Sequence, residues 1–212
     1  MDDGSTDASL AVLTRLAQEE ERLRVVRFVR NFGQTAALVA GFDFSRGQVI
    51  FTLDADLQND PRGILPLLAV LEQGYDLVCG WRRQRQDAWL TRQVPSRVAN
   101  WLIRRVADVP VHDVGCTLRA YRRPLVERLR LYGEAHRLLP LYAKLAGARM
   151  AEVVVPHRAR LHGRAKYALG RTYKVLLDLL LFHVLRRYGT RPLHFFGCLL
   201  YTSPSPRDRT RS

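Results

Sequence analysis

A near-continuous apolar run passes into a row of polar side chains at residues 48–58, which read Gln48-Val49-Ile50-Phe51-Thr52-Leu53-Asp54-Ala55-Asp56-Leu57-Gln58. The apolar part is typical of a strand in a parallel sheet that helices cover on both faces. Ligands of such sheets bind at the carboxyl ends of the strands. We therefore expect Asp54, Asp56 and Gln58 to lie at the functional edge of an α/β domain.

These three residues form a candidate metal site. If the chain stays extended after the strand, side chains at positions i, i+2 and i+4 point the same way. Two carboxylates and an amide oxygen would then converge, and Mg²⁺ or Mn²⁺ prefers such oxygen ligands while leaving positions open for phosphates. A solvated loop gives the same short pattern by chance, so the spacing alone leaves both interpretations open.

The segments around this stretch alternate between helix and strand. This order predicts a doubly wound, mostly parallel α/β sheet with helices on both faces. The expected helices cover residues 8–21, 35–44, 60–74, 95–108 and 124–131, and the expected strands cover 23–29, 48–53, 76–80, 118–121 and 150–155.

Composition narrows the class of protein. The chain has 212 residues, of which 47% are hydrophobic and 25% charged, which excludes a disordered chain and fits one α/β domain or two small ones. Three scattered cysteines exclude a disulfide scaffold and favour a reducing compartment. The net charge of +14 indicates an anionic partner, namely nucleic acid, lipid headgroups or a phosphorylated substrate, unless it is only a solvated basic surface.

The two ends of the chain carry different signals. Met1 is followed at once by Asp2-Asp3-Gly4-Ser5-Thr6-Asp7, a composition typical of a loop, and no signal peptide precedes it. In an α/β domain such a loop normally follows a strand, so we expect that strand to be missing. Residues 201–212 have no apolar periodicity and are expected to be a disordered, non-native tail.

An apolar segment over residues 173–188 is too short to span a bilayer and is flanked by arginines. It fits an amphipathic helix on a membrane surface, or a buried core helix. The sequence thus predicts a truncated catalytic domain over 1–168, a juxtamembrane helix over 169–191, the start of a transmembrane segment over 192–200, and the tail.

Two further groups of residues could bind a phosphorylated ligand. Asp2 and Asp3 follow the expected strand end, where a carboxylate can accept hydrogen bonds from a base or a sugar. Arginine forks suit phosphates, although a solvated surface is the simpler interpretation for any single one of them. Most of these basic residues lie in expected loops: Arg82, Arg83, Arg85, Arg119, Arg122, Arg123, Arg160, Arg164 and Lys166.

Six segments in order resemble the family-2 glycosyltransferases, and within them the polyprenyl-phosphate glycosyltransferases. The segments are Asp2 to Asp7, Arg30 to Leu38, Asp54 to Gln58, Asp113 to Arg119, His136 to Pro140 and Arg160 to Tyr167. The resemblance covers about residues 2–197. It implies a GT-A fold, a nucleotide-sugar donor, a divalent metal and a membrane lipid acceptor.

The resemblance also implies a role for individual residues. Asp54, Asp56 and Gln58 would hold the metal and the diphosphate, with Asp56 among the catalytic residues. Asp2, Asp3 and Arg82 would contact the donor. Arg160 and Lys166, together with Arg119 as a further catalytic residue, would contact the phosphates on the acceptor side. Asp113 would be a base or an acid that orients the acceptor, and His112 a loop residue. Ala165 stands where the family usually has Ser, and the missing first strand removes part of the nucleotide pocket, which leaves open whether this chain is active.

The implied function is inverting transfer of a hexose from a UDP-glucose-type or GDP-mannose-type donor to a polyprenyl phosphate, with Mg²⁺ or Mn²⁺, at the cytoplasmic face of the cell membrane. A processive polysaccharide synthase is one alternative, although the chain lacks the Gln-x-x-Arg-Trp segment of those enzymes. A non-catalytic membrane-surface module is another. A nucleic-acid binder is disfavoured because no recognisable nucleic-acid module is present.

Overall fold

A computed structural model describes residues 1–83, 109–131 and 133–158, together with Leu193, Phe196, Gly197, Leu200 and Tyr201. The chain divides into two compact units, Met1–Ala168 and Leu169–Ser212.

The first unit alternates helices and strands along most of its described length. Its elements are α1 Ser9–Glu19, α2 Gln34–Phe44, β1 Val49–Thr52, a 3₁₀ turn at Pro61–Gly63, α3 Ile64–Leu71, β2 Leu77–Trp81, β3 Arg119–Arg122, α4 Arg123–Arg128, a 3₁₀ turn at Ala135–Leu138, α5 Leu139–Leu145 and β4 Met150–Val154.

The four strands form one sheet in the order β1-β3-β2-β4. β3 pairs antiparallel with both β1 and β2, whereas β2 and β4 are parallel. β1, β2 and β4 therefore run in one direction, so the expected α/β sheet is confirmed, with β3 as the reversed strand that makes it mixed. The carboxyl ends of β1, β2 and β4 share one edge, and this edge positions the candidate site.

The core lies between α3 and the sheet. Leu67 and Leu71 of α3 are fully buried with Val78 of β2 and Ala120 of β3. The helix begins as the sequence predicts, because the Asp60 carboxylate accepts a hydrogen bond from the Arg62 amide at 3.0 Å next to Pro61. This packing anchors the strands whose ends carry the polar loops.

Two expectations about elements differ from the structure. The strand expected over residues 23–29 reduces to a single parallel bridge between Arg27 and Asp2, because Gly4, at φ +70°, turns the chain away after one paired residue. The helix Leu139–Leu145 was not expected, although Pro140 stands in its first turn, where proline is favoured.

In the second unit, Leu193, Phe196, Gly197, Leu200 and Tyr201 are helical. Tyr201, the first residue of the expected tail, is helical, and the rest of that tail lies outside the described residues. Within the part of the chain that the structure describes, no helix is long and apolar enough to cross a membrane. The segments 95–108, 173–188 and 202–212 lie outside the described residues.

Candidate active site at the carboxyl end of the sheet

Asp54 lies two residues after β1 at the shared edge of the sheet. Gln34, the first residue of α2, donates a hydrogen bond from Nε2 to Asp54 Oδ1 at 3.1 Å. Burial raises the pKa of the Asp54 carboxyl above its usual range, and the negative charge of Asp56 raises it further, against the lowering effect of a hydrogen bond from Thr117. Asp54 therefore favours a nearby positive charge.

Two arginines act on the same carboxylate. The charges of Arg119 and Arg82 both lower the pKa of Asp54, but they do not reverse the combined effect of burial and Asp56. The fold thus brings the charges of Asp56, Arg82 and Arg119 close to Asp54, although Arg119 lies 65 residues after Asp54 in the sequence.

The segment from Asp54 to Gln58 is a turn and not the extended chain that we expected. Asp56 Oδ1 accepts a hydrogen bond from the Gln58 amide at 3.2 Å, and Leu57 adopts a left-handed backbone with φ 61°. An aspartate that bonds the amide two residues ahead stabilises such a turn against the extended form. The prediction of an extended backbone here was therefore wrong. Asp54 and Asp56 still lie close enough for the charge of Asp56 to raise the pKa of Asp54.

The loop from Asp113 to Arg119 is bonded to the acidic turn through Thr117. The Thr52 hydroxyl donates to the Thr117 carbonyl at 2.7 Å, and Asn59 Nδ2 donates to Thr117 Oγ1 at 3.0 Å. Sequence reasoning missed Thr117 and Asn59 as site-building residues, although both stand in or beside the quoted segments.

Arg82 and Asp113 form a two-bond ion pair. Arg82 Nε and Nη2 donate to the two Asp113 oxygens at 2.7 and 2.9 Å, and the side chains are only 14% and 5% exposed. A bidentate pair fixes the plane of the guanidinium. Asp113 therefore orients Arg82 in this structure, and its expected role as a base stays a prediction.

Glu152 of β4 supports this pair and was missed by the sequence reasoning. Its Oε1 accepts hydrogen bonds from the His112 and Asp113 amides at 2.8 and 2.9 Å, while Oε2 contacts His112 Nδ1 at 2.8 Å. The His112 ring also stacks on Trp81, with 4.5 Å between centroids. The sequence feature that could have indicated this role is the presence of an acid within the otherwise apolar strand Met150–Val154.

Arg119 is buried beneath the loops of the candidate site. It is 3% exposed, and its guanidinium donates to the carbonyls of Val114 at 2.6 Å and His136 at 3.4 Å. Within the described ranges, its Nε has no hydrogen-bond partner. Its contact with an acceptor phosphate therefore stays a prediction, whereas its electrostatic effect on Asp54 is present in the structure.

The two acids near the N-terminus have different roles. Asp3 holds the neighbouring loop, since it accepts hydrogen bonds from the Phe32 and Gly33 amides at 2.7 and 3.0 Å. Asp2 is buried and accepts bonds from the Ser5 amide and hydroxyl through Oδ1. Its Oδ2 is buried and has no partner in the described part of the chain, which makes Asp2 the better candidate for a donor contact.

Thr35 and His136 join two of the segments on which the family resemblance rests. The Thr35 hydroxyl lies 2.7 Å from His136 Nδ1 and accepts a bond from the His136 amide at 3.3 Å. Because Arg119 donates to the His136 carbonyl, the His136 segment is bonded to the same cluster. Arg85, Arg160, Arg164 and Lys166 lie outside the described residues.

A mixed α/β sheet with paired acids after a strand end, flanked by arginines, agrees with the GT-A glycosyltransferase class that the sequence resemblance implies. Residues 1–130 match the family described as Glycosyl transferase family 2, and the chain belongs to this family.

Known relatives agree with the resemblance read from the sequence. The chain is 45% identical over 203 residues to a dodecaprenyl-phosphate galacturonate synthase of Rhizobium johnstonii, covering 94% of this chain and 60% of the relative. It is 43% identical over 182 residues to an undecaprenyl-phosphate 4-deoxy-4-formamido-L-arabinose transferase of Pseudomonas aeruginosa, covering 84% of this chain and 53% of the relative. The chain therefore spans between about half and three fifths of the length of these relatives.

A solved structure supports the fold. The glucosyl-3-phosphoglycerate synthase of Mycobacterium tuberculosis, crystallised with Mn²⁺ and UDP-glucose, matches with a TM-score of 0.62 at 20% identity, over 86% of this chain and 66% of that one. The expected GT-A fold is thus confirmed.

Proposed function

We propose that this chain forms the catalytic part of an inverting glycosyltransferase that moves a sugar from a nucleotide-sugar donor to a polyprenyl phosphate. The observation that carries the proposal is the cluster at the carboxyl end of β1, where Asp54 lies within electrostatic reach of Asp56, Arg82 and Arg119. The relatives named above, all polyprenyl-phosphate sugar synthases or transferases, support the acceptor class.

The oxygen atoms of Asp54, Asp56 and Gln58 are ligands that suit a hard divalent cation. Burial and the charge of Asp56 raise the pKa of Asp54, and a bound cation would relieve both effects. The ligands would be the Asp54 and Asp56 carboxylates and the side-chain oxygen of Gln58, with other positions open to phosphate. Among the residues that the structure describes, no three His, Cys, Asp or Glu side chains are grouped for a metal. When bound, Mg²⁺ or Mn²⁺ would offset the charge that develops on the departing diphosphate.

The chain's own residues would bind and orient the substrates. Arg82, fixed by Asp113, would face the diphosphate, and Asp2 would accept hydrogen bonds from the base or the ribose. A phosphate acceptor is already an anion near pH 7, so positioning by basic residues replaces a strong general base. Arg160 and Lys166 are proposed for this positioning.

The lipid acceptor places the site at a membrane, and we propose its cytoplasmic face. The helical residues Leu193, Phe196, Leu200 and Tyr201 expose 84, 59, 78 and 98% of their surfaces, which gives an apolar face. The proposed amphipathic helix over residues 173–188 carries arginines that would each add about 1 kcal/mol of attraction to an anionic leaflet. Sedimentation with anionic liposomes at low and high salt tests this part, and absence of binding at low salt contradicts it.

A transfer assay tests the reaction. The protein is incubated with Mn²⁺, undecaprenyl phosphate and labelled nucleotide sugars, including UDP-glucose, GDP-mannose, and the nucleotide forms of galacturonate and 4-deoxy-4-formamido-L-arabinose. Label that moves into the organic phase only in the presence of lipid phosphate supports the proposal. Label in an insoluble polymer would instead indicate a processive synthase.

Matched variants separate the site from the fold in this assay. Asp56→Asn removes one charge from the proposed metal site and is expected to abolish transfer. Asp76→Asn changes an acid at the opposite end of β2 that accepts a hydrogen bond from the Arg149 amide at 2.8 Å, and it is expected to leave transfer intact. Equal activity of the two variants contradicts the proposed site.

A further inference from the structure

We infer that Glu152 is a positioning residue that sets the orientation of Arg82 through Asp113, and so controls how tightly the site holds a nucleoside diphosphate. The role of the diphosphate rests on the proposed function, whereas the positioning of Arg82 rests on the geometry alone.

The first step of this argument is the contact between Glu152 and the loop before β3. β4 pairs with β2 in parallel, with Glu152 opposite Cys79, which directs the strand toward the same edge as Arg82. One Glu152 oxygen accepts the amides of two successive residues, His112 and Asp113, at 2.8 and 2.9 Å. The Glu152 side chain is only 7% exposed, so water does not compete well for these bonds.

The second step is the effect on Arg82. Asp113 is 4% exposed, and its carboxylate binds Arg82 through two bonds of 2.7 and 2.9 Å. Because the Asp113 amide is held by Glu152, the carboxylate starts from a fixed backbone position. The Asp113 carboxylate also accepts a hydrogen bond from the Arg82 backbone amide at 3.4 Å, so it contacts both the backbone and the side chain of Arg82.

The third step is the other end of Glu152. Its second oxygen lies 2.8 Å from His112 Nδ1, and the His112 ring stacks on Trp81, the residue directly before Arg82. Glu152 therefore holds both sides of the Arg82 backbone region, through Asp113 and through the His112–Trp81 stack. A residue that served only the sheet would not need three acceptor contacts in one loop.

NMR tests the positioning of Arg82 without any ligand, by measuring how fast its side-chain Nε–H exchanges with water. The Arg82→Lys variant, which lacks this signal, assigns it. Glu152→Ala is expected to speed this exchange about fivefold or more, because loss of the hydrogen bonds to the His112 and Asp113 amides makes opening of the ion pair more frequent. The matched control is Asp76→Ala, which removes a carboxylate from the amino end of the same strand pair and is expected to leave the exchange unchanged. An unchanged rate in Glu152→Ala overturns the inference.

Titration with UDP and with GDP in the presence of Mn²⁺ tests the consequence. Glu152→Ala is expected to weaken binding of the cognate diphosphate about tenfold, and to have almost no effect when Arg82 is already Lys. The same loss in both backgrounds would indicate a general structural role and would overturn the inference. Glu152→Gln keeps one oxygen acceptor and is expected to restore most of the affinity.

The outcomes remain distinguishable from those of the proposed function. If Glu152→Ala does not fold, Glu152→Asp, whose shorter side chain withdraws the carboxylate from both amides, replaces it in the exchange measurement, and an unchanged rate in Glu152→Asp overturns the inference. If neither UDP nor GDP binds the unmodified protein while the Arg82 exchange responds as expected, the proposed function fails and the positioning role stands.

Discussion

The two ends of the sheet use the same residue types in different ways. At the amino end, Arg122 donates to the carbonyls of Tyr75 and Leu71, both at 2.9 Å, and Asp76 accepts the Arg149 amide at 2.8 Å. These charges are bonded to backbone groups, including a carbonyl at the end of α3, where a cation is favourable. At the carboxyl end, charged side chains act on one another around Asp54.

The difference agrees with the functional site that we propose at the carboxyl end. Buried polar atoms without a hydrogen-bond partner in the described residues include Asp2 Oδ2, Asn59 Oδ1 and Arg119 Nε, all in the loops of the carboxyl end or directly beneath them. Such atoms reduce stability unless a ligand pairs with them. The position of an acid or an arginine at one end of the sheet or the other therefore indicates whether it stabilises the fold or belongs to the proposed site.

Asp56→Ala gives the largest expected effect. Loss of one of two carboxylates at the proposed metal site removes several kcal/mol of transition-state stabilisation, so transfer should fall on the order of a thousandfold. The melting temperature should change little, because Asp56 lies half-buried in a turn beside the exposed Leu57 and not in the core. Parallel measurement of initial rates and thermal unfolding checks this, with Asp76→Ala as control.

Leu71→Ala changes the core at the amino end of the sheet and is expected to reduce stability without affecting the proposed site. Leu71 is fully buried between α3 and the sheet, and its truncation should lower the free energy of unfolding by about 2–5 kcal/mol. Below the melting temperature, Mn²⁺ affinity should remain that of the unmodified protein. Urea denaturation together with metal titration measures both, and a large loss of Mn²⁺ affinity in the folded variant would contradict the separation of core and site.

Gly4→Ala tests the close approach of the N-terminal loop to the site. A Cβ at Gly4 would lie 2.5 Å from the Arg30 carbonyl carbon, and the backbone φ of +70° already disfavours any side chain. We expect a loss of about 1–3 kcal/mol in the free energy of unfolding, together with displacement of the Asp3 contacts to Phe32 and Gly33. Urea denaturation checks the loss. Gly133→Ala, with φ +58° but no neighbour within 4 Å, is the control for the backbone effect alone.

Asp54→Asn is the smallest expected change in stability, and its sign is the informative part. The folded protein holds the Asp54 proton more tightly than the unfolded chain does, chiefly because of burial. Protein stability therefore falls as the pH rises through the window above the ordinary aspartate pKa of about 3.9. The Asn variant should gain stability relative to the unmodified protein as the pH rises from 4 to 7.

Denaturant unfolding of both proteins across this range measures the gain. Saturating Mn²⁺ should stabilise the unmodified protein more than the variant. A relative stability of the Asn variant that decreases with rising pH would show that Asp54 is not held in an environment that disfavours its charge.

The sequence alone determined the architecture and the family. The apolar run over Val49–Thr52, the Asp60-Pro61 helix start and the alternation of elements predicted the α/β sheet, because periodicity and capping are local properties of the chain. The six ordered segments led to the glycosyltransferase resemblance for the same reason, since each is a short contiguous motif.

Only the tertiary structure decided which polar residues meet and how. Periodicity contains no information about the reversed direction of β3, about the turn at Leu57, or about Glu152 supporting Asp113 from a strand 39 residues away in sequence. It also could not show that Arg119 is buried while Arg82 is held by an ion pair with Asp113. Hydrogen bonds and charge interactions at the site depend on distances between separate loops, and those distances are set by how α3 and the four strands pack.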